Sequence, residues 1–250
     1  MDYALAAFFV APGLALGSFL NVLAARVPLR RSLVRPPSAC MSCGGRIAWH
    51  DNIPLVSYGF LRGRCRSCGV RISPVYPIVE LLTALLVAGC VLAFGLTVEA
   101  AVAALFCAVL VAVSATDLAH RIIPNRIVLP AAAAVLVAQT ARTLSPEWAI
   151  AAFGASGFLL AAALVYPAGM GMGDVKLALL MGAALGRTVS VALMIGTLAA
   201  MVPSVYLLAR HGSKARKMGV PFGPFLALGS VVALFWGHDL LHAYFSLSQR

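Results

Sequence analysis

The sequence predicts an all-α protein: a polytopic membrane helix bundle with about eight transmembrane helices and one small loop domain on the cytoplasmic side. Composition is the first reason, because 62% of the 250 residues are hydrophobic and only 11% are charged. A soluble domain of this length holds far fewer apolar residues. The second reason is the distribution of residue types along the sequence, since the apolar residues form long runs and the basic residues lie in the connections between them.

The apolar runs predict the individual helices. A membrane span takes about 20 mainly apolar residues. The predicted spans are residues 3–25, 75–95, 98–118, 127–141, 147–167, 175–186, 188–209 and 223–246, of which the fourth and sixth are short. The first run begins after Asp2 instead of a basic residue and has no small-residue cleavage site, so we expect it to be retained as a helix.

The basic residues predict how the bundle is oriented. The first connection contains nine arginines and one acid, Asp51. On the same predicted side lie Arg121, Arg126, Lys176, Arg210, Lys214, Arg216 and Lys217, and on the other lie Arg142, Arg187 and Arg250. The positive-inside rule therefore places the first connection in the cytoplasm and both termini in the periplasm. Since this charge is sorted by connection, the net charge of +11 indicates anionic membrane lipids as partners and no nucleic acid.

The chain divides by location into a first transmembrane helix at 1–25, a cytoplasmic loop at 26–74 and a seven-helix membrane core at 75–250. The loop contains two CxxC motifs, each followed by glycine. Their cysteines are Cys40, Cys43, Cys65 and Cys68. Four thiolates on two tight turns are typical of a zinc-ribbon-like site with one structural zinc ion. Disulfides are the alternative, but the cytoplasm is reducing. His50, between the motifs, is a further possible ligand.

Two aspartates end or begin apolar runs at the same side of the predicted membrane. Asp117 closes the third run, and Asp174 opens the sixth directly after Gly171 and Gly173. An ionisable residue at membrane depth indicates a functional site. The two glycines have no Cβ and would let a substrate chain approach closely. The Pro- and Gly-rich residues 219–225 cannot simply continue a helix, so we expect them to border this site.

Paired carboxyls favour aspartyl proteolysis, in which an ionised acid takes a proton from water and a protonated one polarises the scissile carbonyl. Asp174 opens a helix and Asp117 closes one, so the helix dipoles favour Asp174 as the base and Asp117 as the acid. A proton-coupled transporter is the alternative, because buried acids also relay protons. The acids lie at one edge instead of the midplane, and the sequence shows no inverted repeat, which favours the protease.

Several motifs carry a family resemblance. They are Gly17–Val22, the paired CxxC motifs, Asn52–Tyr58, Tyr76–Leu81, Asp117–Pro124, Gly171–Asp174 and Pro221–Pro224. Gly171–Asp174 resembles the GxGD signature of membrane aspartyl proteases, and the chain resembles bacterial prepilin leader peptidases/N-methyltransferases almost end to end. Asn125 stands where many relatives carry an acid.

The resemblance implies a bacterial inner-membrane enzyme with two activities. It would cleave the short leader of type IV prepilins and type II secretion pseudopilins on the cytoplasmic face, and methylate the new amino terminus with S-adenosylmethionine. Asp117 and Asp174 match the catalytic pair, and Cys40, Cys43, Cys65 and Cys68 match the cysteine tetrad. A peptidase without methyltransferase activity is the alternative, because no Gly-rich Rossmann loop marks a donor site.

Overall fold

A computed structural model describes residues 2–166, 170–212 and 219–248. These residues form α1 (Asp2–Arg26), α2 (Val56–Phe60), α3 (Val75–Phe94), α4 (Val98–His120), α5 (Asn125–Thr143), α6 (Glu147–Val165), α7 (Met172–Leu185), α8 (Val189–His211) and α9 (Gly223–Ser248). Short 3-10 turns lie at Trp49–Asn52 and Gly186–Thr188. No β-strand occurs in the described ranges, so the all-α prediction is confirmed there.

Each of the eight predicted spans corresponds to one long helix. By length and composition, the described residues contain 6 stretches that could cross a membrane, with α7 and α8 counted together as Met172–His211. Helix α5 is not among them, because Arg126, Gln139 and Arg142 lower its hydropathy. The chain is therefore a multi-pass membrane protein, and the number of crossings stays a prediction. Gly169 and the predicted orientation residues Lys214, Arg216, Lys217 and Arg250 lie outside the described residues.

The chain forms two compact units, Met1–Ala115 and Thr116–Arg250, with the boundary inside α4. The predicted division at 1–25, 26–74 and 75–250 was made on location relative to the membrane, and it stays a prediction.

In the first unit, small residues let α1 and α3 approach closely. A Cβ added to Gly13 would lie 2.7 Å from Cα of Ala84, and one added to Gly17 would lie 2.6 Å from Cα of Glu80. Gly and other small residues are typical of helix interfaces in membranes, where close backbone packing stabilises the pair. Leu20 and Val79 then pack with α4 through a small buried cluster, whose other members are Ala108, Val111 and Ala112.

A buried carboxyl group ties the loop between α1 and α3 to this helix pair. Glu80 is only 8% exposed, and its Oε2 accepts a hydrogen bond from the backbone N–H of Leu55 at 2.9 Å. Leu55 has φ of 58°, a conformation that a leucine rarely adopts. Surrounding contacts must hold such a residue in place, and the bond to Glu80 is one of them.

The second unit is also packed through glycines. A side chain on Gly182 of α7 would meet the backbone of Ala151 and Ala152 in α6. A side chain on Gly229 of α9 would meet the backbone of Ala192 and Gly196 in α8. Both pairs of helices are therefore in direct backbone contact, and any larger residue at the two glycines would separate them.

The helices of the second unit run alternately up and down. At one end, Nε of Arg187 lies 3.2 Å from Oε1 of Glu147, which joins the α7–α8 connection to the start of α6. The opposite end, where α4 finishes and α5, α7 and α9 begin, is called here the site end. It contains both aspartates predicted from the sequence to be catalytic.

Candidate active site and cysteine cluster

Asp117 and Asp174 lie close together at the site end. Asp117 is in the last turn of α4 and is 6% exposed, and Asp174 is in the first turn of α7 and is 8% exposed. The two carboxyl groups are near enough to interact electrostatically. Folding of a single unit therefore brings two acids from distant parts of the sequence into one buried pair.

The start of α9 holds the carboxylate of Asp117. The backbone N–H of Gly223 donates to Oδ2 of Asp117 at 2.9 Å. Gly223 is the first residue of α9, where backbone N–H groups have no partner within the helix. A Cβ added to Gly223 would lie 2.9 Å from the same oxygen, so glycine is required for this close contact. The Pro- and Gly-rich segment thus lies next to Asp117.

Asp174 is held by its own helix start. Gly171 precedes α7 in an extended conformation with φ of −81° and ψ of 142°. Its carbonyl accepts the N–H of Asp174 at 3.1 Å, and the amides of Gly171 and Asp174 hydrogen-bond to the Asp174 carboxylate. Backbone amides therefore reach both acids of the pair, so position at a helix end does not by itself assign their roles.

The structure shows a packing reason for Gly173. A Cβ added there would lie 2.8 Å from Cβ of Ile123, in the connection between α4 and α5. Gly171 has no such neighbour, since an added Cβ would come no closer than 3.3 Å, to Oδ2 of Asp174. Substrate binding by the two glycines stays a prediction. Ile123 could not have been named from the sequence, because nothing in its motif indicates which residue packs against Gly173.

Two basic residues, Arg121 and Lys176, lie at the site end near the two aspartates in the sequence. Arg121, directly after α4, interacts electrostatically with Asp117. Nζ of Lys176 donates to Oδ1 of Asn125 at 3.0 Å, so this lysine joins the start of α7 to the start of α5. Two carboxyls this close cannot both ionise easily and titrate as one system. The pair can therefore share one proton, as acid–base hydrolysis requires.

The first unit contains a second cluster. The Sγ atoms of Cys40, Cys43, Cys65 and Cys68 all lie within 4.8 Å of one another, and those of Cys40 and Cys68 are 3.8 Å apart. A tetrahedral zinc ion with Zn–S bonds of about 2.3 Å separates its sulfur ligands by about 3.8 Å. Hydrogen bonds from the backbone of Cys43 and then Ser42 lower the pKa of Cys40 to about 6, which favours a thiolate there. Despite a backbone hydrogen bond from Val70, burial and the neighbouring thiols raise the pKa of Cys68 to about 11, so without a metal ion the four thiols do not all ionise together. The four residues fit a structural zinc site.

The two CxxC turns have the same geometry. The N–H of Gly44 donates to the carbonyl of Cys40, and that of Gly69 to Cys65, each at 2.9 Å. Both glycines have positive φ, 68° and 70°, which explains the glycine after each motif. His50 is not part of the cluster within the described residues.

Beside His50, Asp51 accepts three hydrogen bonds from the guanidinium of Arg66, one to Oδ2 at 2.8 Å and two to Oδ1 at 2.6 Å and 3.1 Å. The hydrogen bonds from Arg66 hold the pKa of Asp51 below its usual range. The pair joins the Trp49–Asn52 turn to the second CxxC motif.

Comparison with known proteins places both clusters within one family. The family described as Bacterial Peptidase A24 N-terminal domain matches residues 12–94, and the Type IV leader peptidase family matches residues 104–208. The chain belongs to the type IV leader peptidase family. Among its relatives, the prepilin leader peptidase/N-methyltransferase of Bacillus subtilis is 36% identical over 246 residues, covering 94% of this chain and 96% of the relative.

Other members of the type IV leader peptidase family are similarly related. The prepilin leader peptidase/N-methyltransferase of Pseudomonas aeruginosa is 34% identical over 263 residues, covering 93% of this chain and 90% of the relative. That of Xanthomonas campestris is 33% identical over 264 residues, covering 93% and 91%. No solved structure matches the chain. The four cysteines lie in the N-terminal match and both aspartates in the leader peptidase match, whereas Gly223 lies outside both ranges.

Proposed function

We propose that this protein is a membrane aspartyl peptidase that cleaves the leaders of type IV prepilins and pseudopilins at the cytoplasmic face and then methylates the new amino terminus. The observation that carries the proposal is the buried pair of Asp117 and Asp174 in a member of the type IV leader peptidase family. Arg121 interacts electrostatically with Asp117, but among the described residues neither acid forms a salt bridge that would explain burying both at one end of a membrane helix bundle. The salt bridges described in the resolved ranges all involve other acids.

The chemistry follows from one shared proton. The ionised carboxyl takes a proton from water as the water oxygen bonds to the scissile carbonyl carbon, and the protonated carboxyl donates its hydrogen to the carbonyl oxygen. Collapse of the tetrahedral intermediate then returns a proton to the leaving amine. Gly171, extended and exposed next to Asp174, gives the substrate backbone access to the pair.

The direction of the two helix dipoles supports a division of roles, which needs a direct test because backbone amides reach both acids. Asp174 opens α7 and is the proposed base, and Asp117 closes α4 and is the proposed acid. Infrared titration of the carboxyl bands in native protein and in each Asp→Asn variant tests this assignment. If Asp117 is the carboxyl ionised at neutral pH, the two roles are reversed.

Peptidase activity is tested with full-length protein in lipid nanodiscs and a synthetic prepilin containing leader and mature segments. We expect Asp117→Asn and Asp174→Asn to lose cleavage without losing the folded state. Asp239→Asn is the matched control, because this aspartate is exposed on α9 well beyond the turn that contacts Asp117. Cleavage at the native rate by either variant of the pair would refute the proposal.

Methylation rests on family membership. The donor implied by the N-methyltransferase relatives is S-adenosylmethionine. Without a strand in the described residues, a Rossmann-type donor site is excluded there, so the donor would bind among helices and loops. Incubation with prepilin and methyl-labelled S-adenosylmethionine tests the second activity. Mature substrate that carries no label would mean that the protein is a peptidase without methyltransferase activity.

We also propose one structural zinc ion on the four cysteines, and an inner-membrane location with both termini in the periplasm. Metal analysis should find about one zinc per chain, whereas two disulfides in reducing buffer would contradict the site. Reporter fusions after Arg142 and after Arg250 should report the periplasm. A cytoplasmic signal from either fusion would overturn the topology.

A further inference from the structure

An open cavity of about 530 Å³ lies between the second CxxC motif and the start of α3. Three arginines, Arg62, Arg64 and Arg71, line it together with Tyr58 and Ser73. Within the described ranges, no carboxylate pairs with any of the three guanidinium groups, since the one acid of the loop, Asp51, is bound to Arg66. The cavity therefore concentrates positive charge that the protein itself does not neutralise.

The backbone places two of these arginines directly opposite each other. Arg64 and Arg71 form an antiparallel bridge, flanked by the hydrogen bonds from Cys65 N–H to Val70 O at 2.9 Å and from Ile72 N–H to Gly63 O at 2.7 Å. This is the pair geometry in which the two Cα atoms are about 4.5 Å apart and the side chains are closest. Like charges directly opposite each other destabilise a ladder, so an anion between them would stabilise it.

The first CxxC motif shows that zinc binding does not require this arrangement. Ala39 and Arg46 occupy the equivalent bridge, and the equivalent hydrogen bonds run from Cys40 N–H to Gly45 O and from Ile47 N–H to Ser38 O, both at 2.9 Å. The two turns are thus built alike, but one has a single arginine and the other has an opposed pair. The additional arginine needs a reason other than the fold of the turn.

The wall of the cavity is formed by a packed tyrosine. A Cβ on Gly63, which has φ of 66°, would lie 2.9 Å from Cζ and from the hydroxyl oxygen of Tyr58, so the ring packs on glycine backbone. The Tyr58 hydroxyl donates to the carbonyl of Ile72 at 3.4 Å. The cavity reaches Ser73 and Pro74, and the next residue begins α3, a candidate membrane span. In the proposed topology it therefore lies at the level of the phospholipid headgroups.

We propose that Arg62, Arg64 and Arg71 form a binding site for a phosphate group, supplied by the headgroup of an anionic phospholipid. Guanidinium groups bind phosphate oxygens through paired, charge-assisted hydrogen bonds, and several together favour phosphate over water. This inference rests on the proposed placement of the loop at the membrane surface and is independent of the peptidase chemistry. The lipid would fix the second CxxC motif against the membrane.

Native mass spectrometry of the full-length protein in detergent, with phosphatidylglycerol or phosphatidylcholine added, tests the site. We expect bound phosphatidylglycerol to be retained preferentially, and Arg64→Gln or Arg71→Gln to weaken its binding about fivefold each. Arg46→Gln is the matched control, because it removes the same charge from the equivalent position of the first motif. Its lipid affinity should stay within about twofold of the native value.

The outcomes are distinct. Equal weakening by Arg46→Gln would mean diffuse attraction by net charge, and equal retention of phosphatidylcholine would mean no headgroup selection; either result overturns the site. If millimolar inorganic phosphate displaces the lipid, the site binds phosphate groups, as proposed. If inorganic phosphate binds as tightly as phosphatidylglycerol, the proposal that a membrane lipid supplies the phosphate group is wrong. Zinc content identifies variants that fail to fold, and Arg64→Lys then replaces Arg64→Gln. Loss of lipid with cleavage retained leaves the peptidase proposal intact.

Discussion

Substitution of Gly223 by alanine should impair cleavage through a contact that is only a few ångströms long. The added methyl group would lie 2.9 Å from Oδ2 of Asp117, where the Gly223 N–H now donates a hydrogen bond of the same length. Ordinary carbon–oxygen contacts are longer, so the carboxylate must move by about 0.5 Å or rotate away. Either movement weakens the hydrogen bond from Gly223 and displaces a proposed catalytic group.

Both effects have known magnitudes. A hydrogen bond to a neutral carboxyl contributes about 0.5–1.5 kcal/mol, and a 1 Å misplacement of a reacting group costs about 10²-fold in rate. We therefore expect kcat for prepilin cleavage to fall about 10- to 100-fold, with a smaller change in KM. Alanine also has the better helix propensity at the start of α9, by up to about 1 kcal/mol, so the melting temperature should change little.

Single-turnover cleavage with enzyme in excess measures this effect, and thermal unfolding is measured on the same samples. Gly157→Ala is the matched control, because Gly157 is exposed on α6 and an added Cβ there meets nothing within 4 Å. This variant should cleave at the native rate. Native cleavage by Gly223→Ala, with unfolding also unchanged, would show that the contact with Asp117 does not position a reacting group.

Three other consequences can be measured directly. Cys65→Ser should abolish the proposed zinc binding and increase amide exchange throughout the loop between α1 and α3, because metal binding supplies the folding energy of such small domains; retained zinc would contradict the four-cysteine site. Arg66→Gln should raise the pKa of Asp51 toward its usual value in an NMR titration. The lowered pKa means that this ion pair stabilises the loop above about pH 4 and stops doing so as the pH falls through the lower folded value. Gly182→Leu should prevent folding because its side chain meets the backbone of α6, whereas Gly154→Leu, at an open position, should fold normally.

The helices could be predicted because the membrane imposes a length on every apolar run and because glycine and proline mark the ends. The meeting of Asp117 with Asp174 could also be inferred, since alternating orientation places the end of the third span on the same side as the start of the sixth, three spans later. Two features depend on packing that no sequence pattern specifies. The amide of Gly223 reaches Asp117 across 106 positions, and Ile123 fills the space left by Gly173.

Composition was a weaker guide where a helix is partly polar. Helix α5 forms as predicted, but it is not apolar enough to qualify as a span by itself. Val128 and Val135 are nevertheless completely buried, so packing within the second unit stabilises a helix that hydropathy alone would miss.

The pairing of α1 with α3 determines how freely the loop between these two helices can change. The loop leaves one helix and enters the other, and the side chain of Asn21 donates to the carbonyl of Tyr76 at 3.1 Å, so its two ends are neighbours. A segment inserted between adjacent points can be lengthened, shortened or exchanged at little entropic cost and without separating the helices. The loop is thus a transplantable module. Homologous loops of different length should be graftable between Arg26 and Val75, and the grafted proteins should keep their membrane helices in place.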